Sequence, residues 1–221
     1  MKLKKLDKNL LLFTFDTRKE ITTTFFRVQE YYESPNLNLH RKKFSVFQFL
    51  QEQMCDDGHI DYFSFWSGFN IPGHIINSWW KDGAELDSTT KEEELMTQIW
   101  HNVDMSDRYY VIGAEEKDLT TINHEIAHAL YYLNRVYTHK MGDLIQEFMT
   151  KYKEDYDSMV GELLRMGYNE DVIDDEIQAY LSSEKKKDLE DFGINFDYKR
   201  CYPIIKKFRS VLKEFNTYKI Q

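Results

Sequence analysis

The chain has 221 residues, 42% hydrophobic and 30% charged, with 15 Phe, 15 Tyr and 4 Trp. That length and aromatic content suffice for a packed core and exclude a disordered chain. Lys and Arg number 29 against 38 Asp and Glu, a net charge of −9, so no long-range field draws the molecule toward nucleic acid or anionic lipid.

Two cysteines, Cys55 and Cys201, stand far apart and form neither a disulfide framework nor a CxxC knuckle. The apolar run at residues 10–13 is too short for a signal peptide and has no small-residue cleavage site after it. No stretch approaches the roughly 20 apolar residues needed to span a bilayer. The expectation is a cytoplasmic protein with no membrane and no nucleic-acid partner.

Residues 10–15 read as a short buried strand, and residues 21–32 carry Ile21, Phe25, Val28 and Tyr32 at helical spacing. Ser34-Pro35-Asn36 ends that helix. Residues 44–54 repeat the helical pattern through Phe47, Leu50 and Met54. The segment YFSFWSGFNIPGHIINSWW, residues 62–80, reads as core packing around a loop at residues 68–72. Thr90-x-x-Glu93 has capping-box form and opens a helix to about Trp100.

The second half is more legible. Residues 108–114 (RYYVIGA) form a predicted strand, and Asp118 is placed to cap the helix that follows. That helix has an apolar stripe at Leu119, Ile122, Ile126, Ala129, Leu130 and Leu133. Residues 142–166 read as mostly helical, with Gly167 as the stop. A further helix starts at Asn169 or Glu170 and reaches about Glu184. Pro203, in a first turn, leads a final amphipathic helix with Ile204, Ile205, Phe208, Val211, Leu212 and Phe215. The basic residues near the chain's end read as its solvated face. The whole predicts an α+β fold, mostly helical with a small sheet. A mixed, aromatic-rich lobe occupies residues 1–100 and the motif lobe residues 101–221, the two forming one compact unit.

The chemistry lies in TINHEIAHAL, residues 121–130, which contains H-E-x-x-H. His124 and His128 are four apart on a helix and project from one face, the arrangement by which two imidazoles hold one zinc ion. Glu125 sits about 100° around the helix, from where it can take a proton from water activated at the metal. Two ligands are too few for a catalytic zinc. The Gly and His that a metzincin places at 131 and 134 are here Tyr131 and Asn134, which excludes that subclass. The third-ligand candidates are His139, just past the helix, and the segment DDEIQAYL, residues 174–181, where Glu176 and Tyr180 stack four apart.

HEIAHAL followed by a later helix reading E-x-x-A resembles the gluzincin group of zinc metallopeptidases over roughly residues 108–182. The resemblance implies one zinc ion held by His124, His128 and Glu176, with Glu125 as general base and Ala179 as the small residue where helices touch. The group often has an acidic residue four after the glutamate ligand, where this chain has Tyr180. Asp174 and Asp175 are then candidates to orient a histidine, or to replace Glu176 as ligand. The resemblance also implies that the strand before the motif is a sheet edge that pairs with extended substrate, Gly113 allowing close backbone approach. Tyr180, His139, Arg135 and Tyr131 are candidates to steady the oxyanion, the last two sharing the face of the motif histidines. The order of FFRVQEYYESP, WSGFNIP, YYVIGA, HEIAHALYYLN and DEIQAYL is similar to uncharacterised phage-borne and bacterial HExxH proteins. That similarity implies a host cytoplasm if the chain is phage-encoded.

The expected function is a zinc-dependent hydrolase, a metallopeptidase acting on a protein or peptide substrate, with Tyr180 assisting Glu125. The alternative is a zinc-stabilised, catalytically silent protein that captures a partner through residues 62–80, Trp79 and Trp80 foremost. Cleavage of a repressor is a third expectation, although no helix-turn-helix accompanies the motif.

Overall fold

A computed structural model of the chain describes residues 1–34, 36–54, 62–84 and 87–218. Cys55 and Pro35 lie outside them. The fold is α+β and mostly helical, 64% helix with one small mixed sheet. Two compact units divide it, Met1–Ile122 and Asn123–Gln221. The division falls inside a helix and not at residue 100.

The first unit contains strands β1 (Lys2–Asp7), β2 (Leu10–Phe15), β3 (Gly68–Pro72) and β4 (Tyr110–Glu115), with helices α1 (Arg18–Glu33), α2 (Val46–Glu52), α3 (Tyr62–Phe65), α4 (Gly73–Lys81) and α5 (Thr90–Asn102). The strand order is β1-β2-β4-β3. β2 and β4 pair in parallel, Leu10 opposite Tyr110, which requires a long crossover, here the one that carries α1 to α5 and β3. β1 pairs with β2, and β3 with β4, both antiparallel. Leu11, Phe13, Phe25, Phe69, Ile71 and Val111 are among the residues of its buried core. Each such side chain contributes roughly 1.5–3 kcal/mol by leaving water.

Several expectations change here. Residues 68–72 are strand β3, not a loop, because their backbone completes the ladder on β4. The ring of α2 that is buried is Phe49, while Phe47 and Met54 face solvent. The capping box of α5 is Thr89 with Glu92, one residue earlier than expected. β4 is hydrogen-bonded on both sides, by β2 and by β3, so it is no free edge for substrate. Gly113 has a packing reason instead, since a Cβ there would collide with the Phe25 ring of α1. Trp79 and Trp80 are buried core rings, not a contact surface.

Helix α6 (Leu119–Leu133) runs from the first unit into the second. Asp118 starts it, accepting from the Thr121 N–H at 3.0 Å and the Thr121 hydroxyl at 2.8 Å. Leu119 is exposed, so the buried stripe begins at Ile122. Residues 125–130 are buried without interruption, so the motif lies on a covered face of the helix.

The second unit adds α7 (Arg135–Lys151), α8 (Lys153–Arg165), a single 3-10 turn (Glu170–Val172), α9 (Ile173–Ser183), α10 (Lys186–Asp191) and α11 (Tyr198–Phe215). What the sequence shows as one helical stretch at 142–166 is α7 and α8, parted at Tyr152 (φ −131°, ψ 43°). Gly167 stops α8 with φ +98°, a conformation that favours glycine. Asp197 caps α11 through the Lys199 and Arg200 N–H groups. Pro203 therefore lies inside that helix and not in its first turn. Tyr137, Met141, Ile145, Phe148, Ile177 and Phe208 are among its buried side chains. Cys201 is buried too, as a free thiol.

Candidate metal centre

Two helices of the second unit bring the site together. From α6, His124 and His128 lie one turn apart with ring centroids at 4.9 Å and their Nε2 atoms 3.2 Å apart. From α9, Glu176 places Oε1 3.7 Å from Nε2 of His128. One donor atom from each of the three residues lies within 4.8 Å of the others. Metal–ligand bonds of about 2.0–2.1 Å at a tetrahedral angle separate ligand atoms by about 3.3–3.4 Å, so both observed separations are close to that spacing.

The far side of each imidazole is engaged. Nδ1 of His128 lies 2.9 Å from Asp175 Oδ1. That oxygen also accepts from Gln178 Nε2 at 2.9 Å, and Gln178 Oε1 accepts from the Tyr137 hydroxyl at 2.8 Å. Nδ1 of His124 lies 3.3 Å from both Glu184 Oε1 and Ser183 Oγ. Oxygen acceptors at Nδ1 fix the proton there and leave Nε2 as a lone pair. Two such lone pairs 3.2 Å apart repel each other unless a cation, proton or metal ion, comes between them. The donor set therefore fits a divalent ion.

The electrostatics agree. Burial alone would depress the pKa of His128, but Asp175 foremost, then Glu176 and Glu125, overcome it and push it up to about 10. A place that holds a proton so firmly is one where negative charge has been gathered with too little positive charge to balance it.

Glu125 is buried beside the pair, and its charge acts on His128, Tyr168 and Tyr180. The Tyr180 ring stands edge-on to His124 with centroids 4.8 Å apart, and its hydroxyl is 3.2 Å from that of Tyr168. Burial, and then Glu176, raise the Tyr180 hydroxyl far above its usual pKa.

The remaining candidates separate cleanly. His139 is exposed on α7 beside Asp143 and is not in the ligand group. Asp174 faces outward into a cleft of about 330 Å³ with Tyr156, Val160, Leu164 and Ile173. Asp175 lies against Nδ1 of His128 and is not in the ligand group. Arg135 does not share the motif's helical face, because α6 ends at Leu133 and Asn134 caps a new helix. Tyr131 is half-buried, its hydroxyl pushed up to about 12 by burial and then by Asp174 and Asp175.

Sequence reasoning missed Ser183, Glu184, Gln178, Tyr137 and Tyr168. Ser183 follows Glu176 by seven, a spacing that returns to the same helical face, so it carried a signal. Glu184 carried none, because it is the C-cap of α9 with extended backbone (φ −82°, ψ 147°), where helical spacing no longer applies. Comparison of the chain with protein-family models, with curated proteins and with solved structures found no match.

Proposed function

We propose that this chain is a zinc-dependent hydrolase, a metallopeptidase acting on protein or peptide substrates. His124, His128 and Glu176 hold the ion and Glu125 is the general base. The observation that carries this reading is the convergence of those three donor groups from two helices. Two imidazoles and one carboxylate suit zinc in a catalytic setting, where a fourth position stays open. When bound, the ion would polarise an amide carbonyl and lower the pKa of water to roughly 7.

The chain's own residues supply the rest. Glu125 stands next to a ligand in sequence but outside the ligand group, and as general base its carboxylate would accept a proton and return it to a leaving amine. Tyr180 keeps its proton throughout the neutral range and is the candidate hydrogen-bond donor to the oxyanion.

Metal analysis of the purified protein tests the ligands. One equivalent of zinc is expected in the wild type, and loss of zinc in both His124→Ala and Glu176→Ala. Zinc retained in full by Glu176→Ala would remove that residue from the set. Peptide hydrolysis should fall at least about 100-fold in Glu125→Gln with zinc still bound.

A second reading rests on burial. His128 is only 2% exposed, and Glu125 and Glu176 are buried with it. A metal so covered suits a zinc-stabilised binding protein that does not cleave. Stoichiometric zinc without turnover across broad peptide libraries would favour it.

A further inference from the structure

We infer that Asp175 and Glu184 are paired positioning residues, and that α7 and α11 help to set the site's metal affinity through them. The inference deepens the metal reading of the same site and rests on it.

Helix α9 and its C-cap supply three carboxylates to the centre, and only Glu176 belongs to the ligand group. Asp175, just before the ligand, lies against Nδ1 of His128. Glu184, eight residues after it, lies against Nδ1 of His124. No acidic residue stands four after the ligand, where Tyr180 packs edge-on to His124 instead. The orienting work that sequence spacing would assign to that position is thus divided between one residue before the ligand and one beyond the helix end. A carboxylate at Nδ1 fixes tautomer and ring plane and makes Nε2 a stronger donor.

Each orienting residue is linked to another helix, Asp175 by way of Gln178 and Glu184 by way of its backbone carbonyl. Asp175 accepts from Gln178, which accepts from the buried Tyr137 of α7. Glu184 is buried, with the Ser183 hydroxyl 3.2 Å from its Oε1. Its backbone carbonyl accepts from the guanidinium of Arg209 on α11. The His124 ring is therefore linked, through Glu184, to an arginine outside the ligand group.

The test is competition for Zn2+ against a chromophoric chelator, with the absorption spectrum of the Co2+-loaded protein and the thermal midpoint of the metal-free protein read in parallel. Glu184→Gln and Asp175→Asn are each expected to weaken zinc affinity about 10- to 100-fold. Arg209→Met and Tyr137→Phe should weaken it less, in the same order of arms. The Co2+ bands should shift in the carboxylate variants while the metal-free midpoint stays within a few degrees of wild type. Glu184→Asp should recover part of the affinity. Should Glu184→Gln fail to fold, Ser183→Ala reads the same arm by removing the hydroxyl beside Glu184 and His124. Wild-type zinc affinity in Glu184→Gln and Asp175→Asn, with unshifted Co2+ bands, overturns the inference alone. A wild-type protein that binds neither Zn2+ nor Co2+ overturns the metal reading and the inference together.

Discussion

Each unit of the molecule buries a cluster of charged groups, and the two clusters are built on opposite principles. In the N-terminal unit Arg27, 1% exposed, donates to Asp87 Oδ1 at 2.7 Å, Glu92 Oε2 at 3.2 Å, and the Asp87 and Phe44 carbonyls. Cation and anions answer one another there. In the C-terminal unit Asp175, Glu176, Glu184 and Glu125 surround two imidazoles, and the lone pairs of both rings meet at one point. Buried charge that is balanced by its own protein partners is structure. Buried charge arranged so that balance must come from elsewhere is what the proposed metal site rests on.

The contrast can be broken most directly at Arg27. Arg27→Met leaves Glu92 buried without its cation, and should cost about 3–5 kcal/mol in a denaturant titration while zinc affinity in the C-terminal unit stays at the wild-type value. A variant as stable as wild type would mean that the first cluster is not held by its charges. Next in size is the effect of metal. Zinc at a hundred times its Kd should stabilise the wild type by about 2.7 kcal/mol and leave His128→Ala unchanged, as read by calorimetry with and without chelator. Equal gains in both proteins would place the ion elsewhere.

The third test is of pH. His128 in the metal-free protein is raised from 6.5 to about 10. Its proton therefore stabilises the fold fully below pH 6.5, and that contribution is lost as pH rises through 10. The thermal midpoint of chelator-treated protein should fall across that window, and His128→Gln should remove that part of the slope. A wild-type midpoint that rises from pH 6.5 to 10 contradicts the charge balance described above.

The histidine pair was legible in the sequence because helical spacing is rigid, whereas Glu176 was named from a resemblance; the three donors lie together, and Asp118 starts the motif helix as its side chain suggests. What was not legible depended on partners distant in the chain. Phe47 and Phe49 are both apolar residues of one short helix, and only packing against Phe26 and Tyr62 decides that Phe49 goes inside. Residues 68–72, bounded by Gly and Pro, become a strand because β4 offers them a ladder. β1 was missed because its lysines hide a strand in a charged segment. Tyr152 parts α7 from α8 without Gly or Pro to announce it. Glu184 reaches His124 from beyond a helix end, where no periodicity reports.

Those lysines have a use of their own. β1 is an outer strand of the sheet, bonded to β2, and the side of its backbone turned away from β2 is a template on which another chain could add. Exposed Lys2, Lys4 and Lys5, with a bulge between Lys5 and Asp7, set like charges and an irregular spacing in the way of any second copy. The same border that gives the sheet its end would thus oppose edge-to-edge pairing of two copies.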